Sequence, residues 1–188
     1  PDAVNPSDDP SVVFSTGGRA VTFNIAASGT DATFTSASLA LQTGTVAGAI
    51  RLRATFQADS RDITPSPAPE KVSRVLRSAP VIRSVQVENK TASGFEVVIK
   101  AYSTPRQITQ ATFRFTPAPG LSLQTTEISL PMTQLADTWF KGQESPLYGS
   151  QFTLRQPFTV QGDIRAIGSV SVTLTNSIGT SPAVSAGL

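Results

Sequence analysis

The side chains able to do chemistry in this chain are carboxylates, hydroxyls, guanidinium and ammonium groups and a few aromatics, because the 188 residues contain no Cys and no His. That absence excludes Cys-ligated zinc, iron–sulfur clusters, haem held by His or Cys, thiol nucleophiles, His-based triads and disulfide staples. A metal ion would need oxygen ligands. The candidates are Asp2, Asp8 and Asp9 near the start, Asp59 and Asp62 flanking Arg61, and Asp163. None sits in the D-x-D-x-D-G spacing that converges carboxylates on Ca²⁺, so ordinary turn aspartates and no metal site are expected. Asp59 and Asp62 would begin to form such a site only at a domain junction.

A glycosidase would use two facing carboxylates. Glu96, Glu127, Glu144, Asp137 and Asp163 are available, but no spacing brings two of them together, and Glu96 falls on the polar side of an alternating run. Serine chemistry without His would need S-x-x-K, and neither that nor G-x-S-x-G occurs. The expectation is a protein that is not an enzyme and carries no cofactor. Recognition has a better candidate in W-F-K-G-Q-E-S-P-L-Y-G, which gathers Trp139, Phe140 and Tyr148 into one insertion. Aromatics on a loop can stack on a sugar ring or anchor a protein, since they offer large rigid area at low entropic cost. The competing role is to plug one end of a β-structure, and Leu135 and Trp139, four apart, favour it. Lys71, Arg74, Arg77 and Arg83 form a basic stretch without interleaved aromatics, read as a solvated interdomain edge. With 15 Lys and Arg against 13 Asp and Glu, no dense cationic stripe suggests a nucleic-acid partner.

The elements that must position these groups are strands. Period-two alternation recurs at Val12 to Phe14, Arg19 to Ala26, Ala32 to Phe34 and Ala49 to Gln57, with Thr35 to Thr45 as a crossover. Pro65, Pro67 and Pro69 then fall at every second position, which suits an extended joint and neither a helix interior nor a central strand. Lys71 to Arg77 is read as a last edge strand. Beyond it, Val81 to Glu88 and Phe95 to Ala101 predict a hairpin. Ile108 to Thr116 predicts a strand with Ala111, Phe113 and Phe115 on one face. Leu121 to Leu130, Phe152 to Val160, Ser169 to Thr175 and Pro182 to Val184 supply the rest. Pro131 to Lys141 is the one plausible helix, with Met132, Leu135 and Trp139 on one face and Gly142 marking its end. No run approaches about 18 apolar residues, so no transmembrane segment is expected.

The pattern predicts an all-β protein of two tandem antiparallel β-sandwich domains. Residues 1–78 would form a small sandwich with a Pro-rich final segment, and residues 79–188 a second with a short helical insertion. In the second region A-P-V-I-R-S-V at Ala79 to Val85, G-F-E-V-V-I-K-A-Y-S-T at Gly94 to Thr104, Q-A-T-F-R-F-T-P at Gln110 to Pro117 and G-S-V-S-V-T-L-T-N-S-I-G at Gly168 to Gly179 stand in sequence. This region resembles immunoglobulin-like β-sandwich modules of large secreted or surface proteins of environmental bacteria. The resemblance implies an immunoglobulin-like fold, neighbouring domains of a longer chain as partners, and no catalytic set. Together these readings lead to the expectation of a non-catalytic spacer, stalk or adhesion segment, extracellular or on the cell surface. The alternatives are a module that binds a cell-surface polysaccharide or protein through Trp139, Phe140 and Tyr148, and an assembly subunit completed by strand exchange.

Overall fold

A computed structural model describes all residues, 1–188. The fold is all-β, built from several small antiparallel sheets and one short helix. In the N-terminal part the strands are β1 (Val12–Phe14), β2 (Phe23–Ile25), β3 (Ala32–Phe34), β4 (Leu41–Thr43), β5 (Gly48–Arg53), β6 (Gln57–Ala58), β7 (Arg61–Asp62) and β8 (Glu70–Val75). They pair only two by two: β1 with β4, β2 with β3, β5 with β8, and β6 with β7. The first two ladders make one long hairpin arm and the last two another. The arms touch where Phe23, paired with Phe34 in its own ladder, meets Phe56 of the other arm with ring centroids 5.6 Å apart.

This half departs from the expected small sandwich. Between residues 10 and 78 only Val46 and Ala47 are buried. A lone two-stranded ladder is narrow and has no second sheet packed squarely over its face, so its apolar side chains stay half-exposed. The alternation of Ile50, Leu52, Arg51 and Arg53 is present in β5, with the first two half-buried and the arginines exposed, but the expected strand from Ala49 to Gln57 breaks at Ala54 to Phe56. There Ala54 N–H turns to the Pro69 carbonyl, and Phe56 N–H turns to the Thr64 hydroxyl. The expected crossover contains β4. The Pro-alternating run is also not the joint between the halves: it is a loop joining β7 to β8 inside the second arm. Prolines lack the N–H a ladder needs, so they collect where pairing lapses, and strand pairing resumes after them in the predicted Lys71 to Arg77 region as β8.

The C-terminal part follows its sequence pattern, except that the expected run Leu121 to Leu130 is strand only from Glu127 and the last strand is Val184–Gly187 instead of Pro182 to Val184. β9 (Val81–Thr91), β10 (Gly94–Tyr102) and β13 (Gln151–Thr159) form a sheet in the order β13-β10-β9; β11 (Gln110–Pro117), β12 (Glu127–Pro131), β14 (Ile167–Thr175) and β15 (Val184–Gly187) form another in the order β12-β11-β14-β15. The predicted hairpin is β9–β10, with Val87 opposite Val97 and Val85 opposite Ile99. Phe95, Val97 and Ile99 of one sheet and Ala111, Phe113, Phe115, Val170, Val172 and Leu174 of the other belong to a single cluster of 16 buried residues. Phe158 joins it from β13, with its ring 5.0 to 5.6 Å from those of Phe113, Phe115 and Phe95. Helix α1 (Thr133–Lys141) is inserted between β12 and β13 and is followed by a 3-10 turn at Ser145–Tyr148. No helix is long and apolar enough to cross a membrane.

Candidate functional site

The aromatic insertion is held from beneath by a buried cation. β10 ends in a turn in which Arg106 N–H donates to the Ser103 carbonyl at 2.7 Å. Arg106 sits there with φ 53°, a left-handed conformation costly for a long side chain. It is 1% exposed. Its guanidinium donates through Nη1 to the Gly149 carbonyl and through Nη2 to the Phe140 carbonyl at 2.5 Å and Ser145 Oγ at 2.9 Å. The Phe140 ring lies 5.1 Å from its central carbon. One side chain thereby closes the end of α1, the 3-10 turn and the start of β13 into a single clamp.

The N-terminal strap docks on the other side of this clamp. Val4 N–H donates to the Pro105 carbonyl at 2.8 Å, and Asn5 Nδ2 donates to the Arg106 carbonyl at 2.9 Å and to Asp137 Oδ1 at 3.1 Å. Asp9, 4% exposed, accepts from the backbone N–H groups of Thr45 at 2.6 Å, Val46 at 3.0 Å and Ser11 at 2.9 Å. Burial alone would push its carboxyl up. The three backbone donors, helped by the Thr45 hydroxyl, outweigh that and hold it below the ordinary aspartate value. Burial also pushes the Arg106 guanidinium down, and the Asp9 carboxylate offsets part of that shift. Gly44 and Gly149 both have positive φ, and a Cβ on either would lie within 3 Å of the Asp9 carboxylate, so neither position accepts a side chain without displacing it. Ser150 Oγ and N–H complete the contact through the carbonyl and hydroxyl of Thr45, at 2.8 and 3.0 Å.

On the outside of the clamp, the three predicted site residues separate. Phe140 belongs to the core, packed edge-on to Phe152 at 5.8 Å. Trp139 is half-buried, its indole N–H shielded from solvent without a partner. Tyr148 is 50% exposed, 6.0 Å from Trp139. Leu147 and Leu135 extend the surface and are more exposed still. The buried face of α1 is therefore Met132, Ala136 and Phe140, with Trp139 packed partly against the same core, while Leu135, expected beside it on the plugging face, is exposed. Of the predicted trio, only Tyr148 is exposed.

The carboxylates considered for catalysis or metal binding are mostly engaged elsewhere. Glu96 shares Arg155 with Glu88, at 2.8 and 2.9 Å. Glu127 pairs with Arg114, Asp137 with Lys141, and Asp163 with Arg165. Asp59 lies with Ser60 in the tight two-residue turn between β6 and β7, both at positive φ as such hairpins require. Asp62 takes the Thr64 N–H at 2.8 Å. The turn is at the tip of an arm and far in the fold from the joint where a junctional site was envisaged. No three acidic side chains come together in a metal-binding group. Arg106 and Asn5 were invisible in sequence terms. T-P-R marks a turn, but nothing local says that its arginine turns inward. Asp9 appeared only as one of several oxygen ligands.

Comparison with protein-family models, curated proteins and solved structures finds no match to this chain.

Proposed function

We propose that this chain is a non-catalytic spacer or adhesion segment of a secreted or cell-surface protein, in which two β units are held at a set angle. The observation that carries the reading is the joint. Three separate pieces of the N-terminal part, at Val4 and Asn5, Thr45 to Ala47 and Ser78, hydrogen-bond to the turns at Ser103 to Arg106, Ser150 and Asn176 of the C-terminal part. The contacts include Ala47 N–H to the Thr104 carbonyl at 2.8 Å and Asn176 Nδ2 to the Ser78 carbonyl at 2.8 Å. Pivoting would strip several buried donors and acceptors at once, each at a cost of about 1–3 kcal/mol. A flexible tether would not need such contacts.

The division at 78/79 belongs to this proposal, and so does an immunoglobulin-like sandwich for residues 79–188. In its favour, taking β9, β10 and β13 as strands A, B and E leaves β11, β14 and β15 as C, F and G, on the opposing sheet and in the C-F-G order. Hydroxyl-rich strands with only 15% charged residues are in keeping with an exported module. Small-angle scattering of the intact protein tests the spacer: one elongated form is expected, and a broad spread of shapes for the unmodified chain would overturn it.

A second reading has its own observation, the exposed Tyr148 and Leu147 beside Trp139. In it the patch binds a cell-surface polysaccharide or protein. Trp139 is the sole tryptophan, so its fluorescence reports directly on the patch. A shift on titration with soluble glucans or peptidoglycan fragments, abolished by Tyr148→Ala, is expected, and an unmoved spectrum across that panel would remove the polysaccharide form of the reading.

A further inference from the structure

β8 is an open sheet edge whose side chains complement themselves. It pairs with β5 on one side only, leaving the backbone groups of the other edge without a strand. Its register, Val72 opposite Arg51 and Glu70 opposite Arg53, puts Glu70, Val72 and Arg74 on the outer face of the ladder. All three are exposed, and Val72 is an apolar residue 38% open to solvent in the middle of an edge strand. Glu70 already accepts from Arg51 and Arg53, whereas Arg74 has no carboxylate partner in its own chain.

We propose that this edge is a homotypic docking surface, and that its occupant is the β8 edge of a second copy, paired antiparallel about a two-fold axis at Val72. In that register each Val72 lies directly opposite its counterpart, and each Arg74 lies opposite the second copy's Glu70. Two ion pairs and one apolar pair arise from a single strand read in both directions, as a symmetric interface requires. Moving the axis by one residue, to Ser73, would set each Arg74 against Val72 and each Glu70 against Leu76 and lose both ion pairs, so the charges select the register. The backbone groups that face the open edge are those of Glu70, Val72 and Arg74, since Pro69 turns its carbonyl to the Ala54 N–H on the β5 side. The contact is a strip about five residues long, far smaller than a standard interface, so association in dilute solution is weak and is read best by a covalent trap.

A chain with no cysteine gives that trap a clean background. Directly opposed antiparallel residues have Cα atoms about 4.5–5.5 Å apart, within disulfide range. Val72→Cys in the intact protein is therefore expected to form a disulfide-linked dimer under mild oxidation. Arg74→Cys, on the same exposed face but four residues out of register with its counterpart, or roughly 13 Å along the strand, is expected to cross-link at least about tenfold more slowly. Adding Arg74→Glu to Val72→Cys sets Glu against Glu70 at both ends and should slow trapping by about tenfold, whereas Arg74→Lys should preserve it. Circular dichroism confirms that each variant is folded. Equal trapping at positions 72 and 74, no trapping at 72, or indifference to Arg74→Glu would each overturn the proposal.

Discussion

Asp9 and Arg106 illustrate how much one buried charge can organise. Asp9→Asn keeps the shape but turns a full acceptor into a group whose NH₂ must face backbone N–H donors. A loss of about 2–3 kcal/mol is expected in urea unfolding. The pH dependence has a definite sign. The folded-state carboxyl of Asp9 is held below the ordinary 3.8, so the unfolded chain binds this proton more readily than the folded one. The contribution is complete above about pH 4 and drains away as pH falls through the folded value. Acid unfolding curves of the parent should therefore steepen below that point, and Asp9→Asn should flatten the same limb. Arg106→Lys retains the charge, but a compact ammonium cannot reproduce the fork that reaches Phe140, Ser145 and Gly149 together. A cost of about 2 kcal/mol or more is expected by the same measurement.

At the scale of the element, α1 was legible and its facing was not. Pro131 to Lys141, ended by Gly142, predicts a helix, and Thr133–Lys141 is helical. Both candidate faces satisfy the spacing rule, since Met132, Leu135 and Trp139 lie beside Met132, Ala136 and Phe140 around a 100° per residue turn. The choice falls to what lies beneath: the Arg106 guanidinium and the Phe152 ring receive Phe140. Phe140→Ala should cost about 3–5 kcal/mol in denaturant unfolding, as emptied core aromatics do. Leu147→Ala, at the exposed patch, should stay within about 0.5 kcal/mol. Similar costs for the two variants would refute this division of the insertion into a core side and an outer side.

Across the whole molecule, protection from solvent is uneven. The 16-residue cluster belongs entirely to residues 85–174, while the two N-terminal arms rest on half-buried faces and on the strap. Hydrogen exchange followed by mass spectrometry should find slow amides in β10, β11 and β14. Amides of β2, β3, β6 and β7 should exchange at least about a hundredfold faster, because local opening there exposes little apolar surface. Comparable protection in both halves would contradict this picture. The strands of the C-terminal part could be read from sequence because period two is a local signal: Ala111, Phe113 and Phe115 alternate with Thr112, Arg114 and Thr116, and they face inward and outward accordingly. The same signal in β5 predicted a strand correctly but could not say that no second sheet would pack over its apolar face. Residue types by themselves determined the all-β character, the helix and the chemistries closed to a chain without Cys or His. The tertiary structure alone decided that Asp9 meets Thr45 and Val46, that Arg106 turns inward beneath Phe140, and that the proline run is a loop instead of a hinge. Those outcomes depend on which distant segments share the same space, and burial and hydrogen-bond partnership arise from that meeting, not from any spacing along the chain.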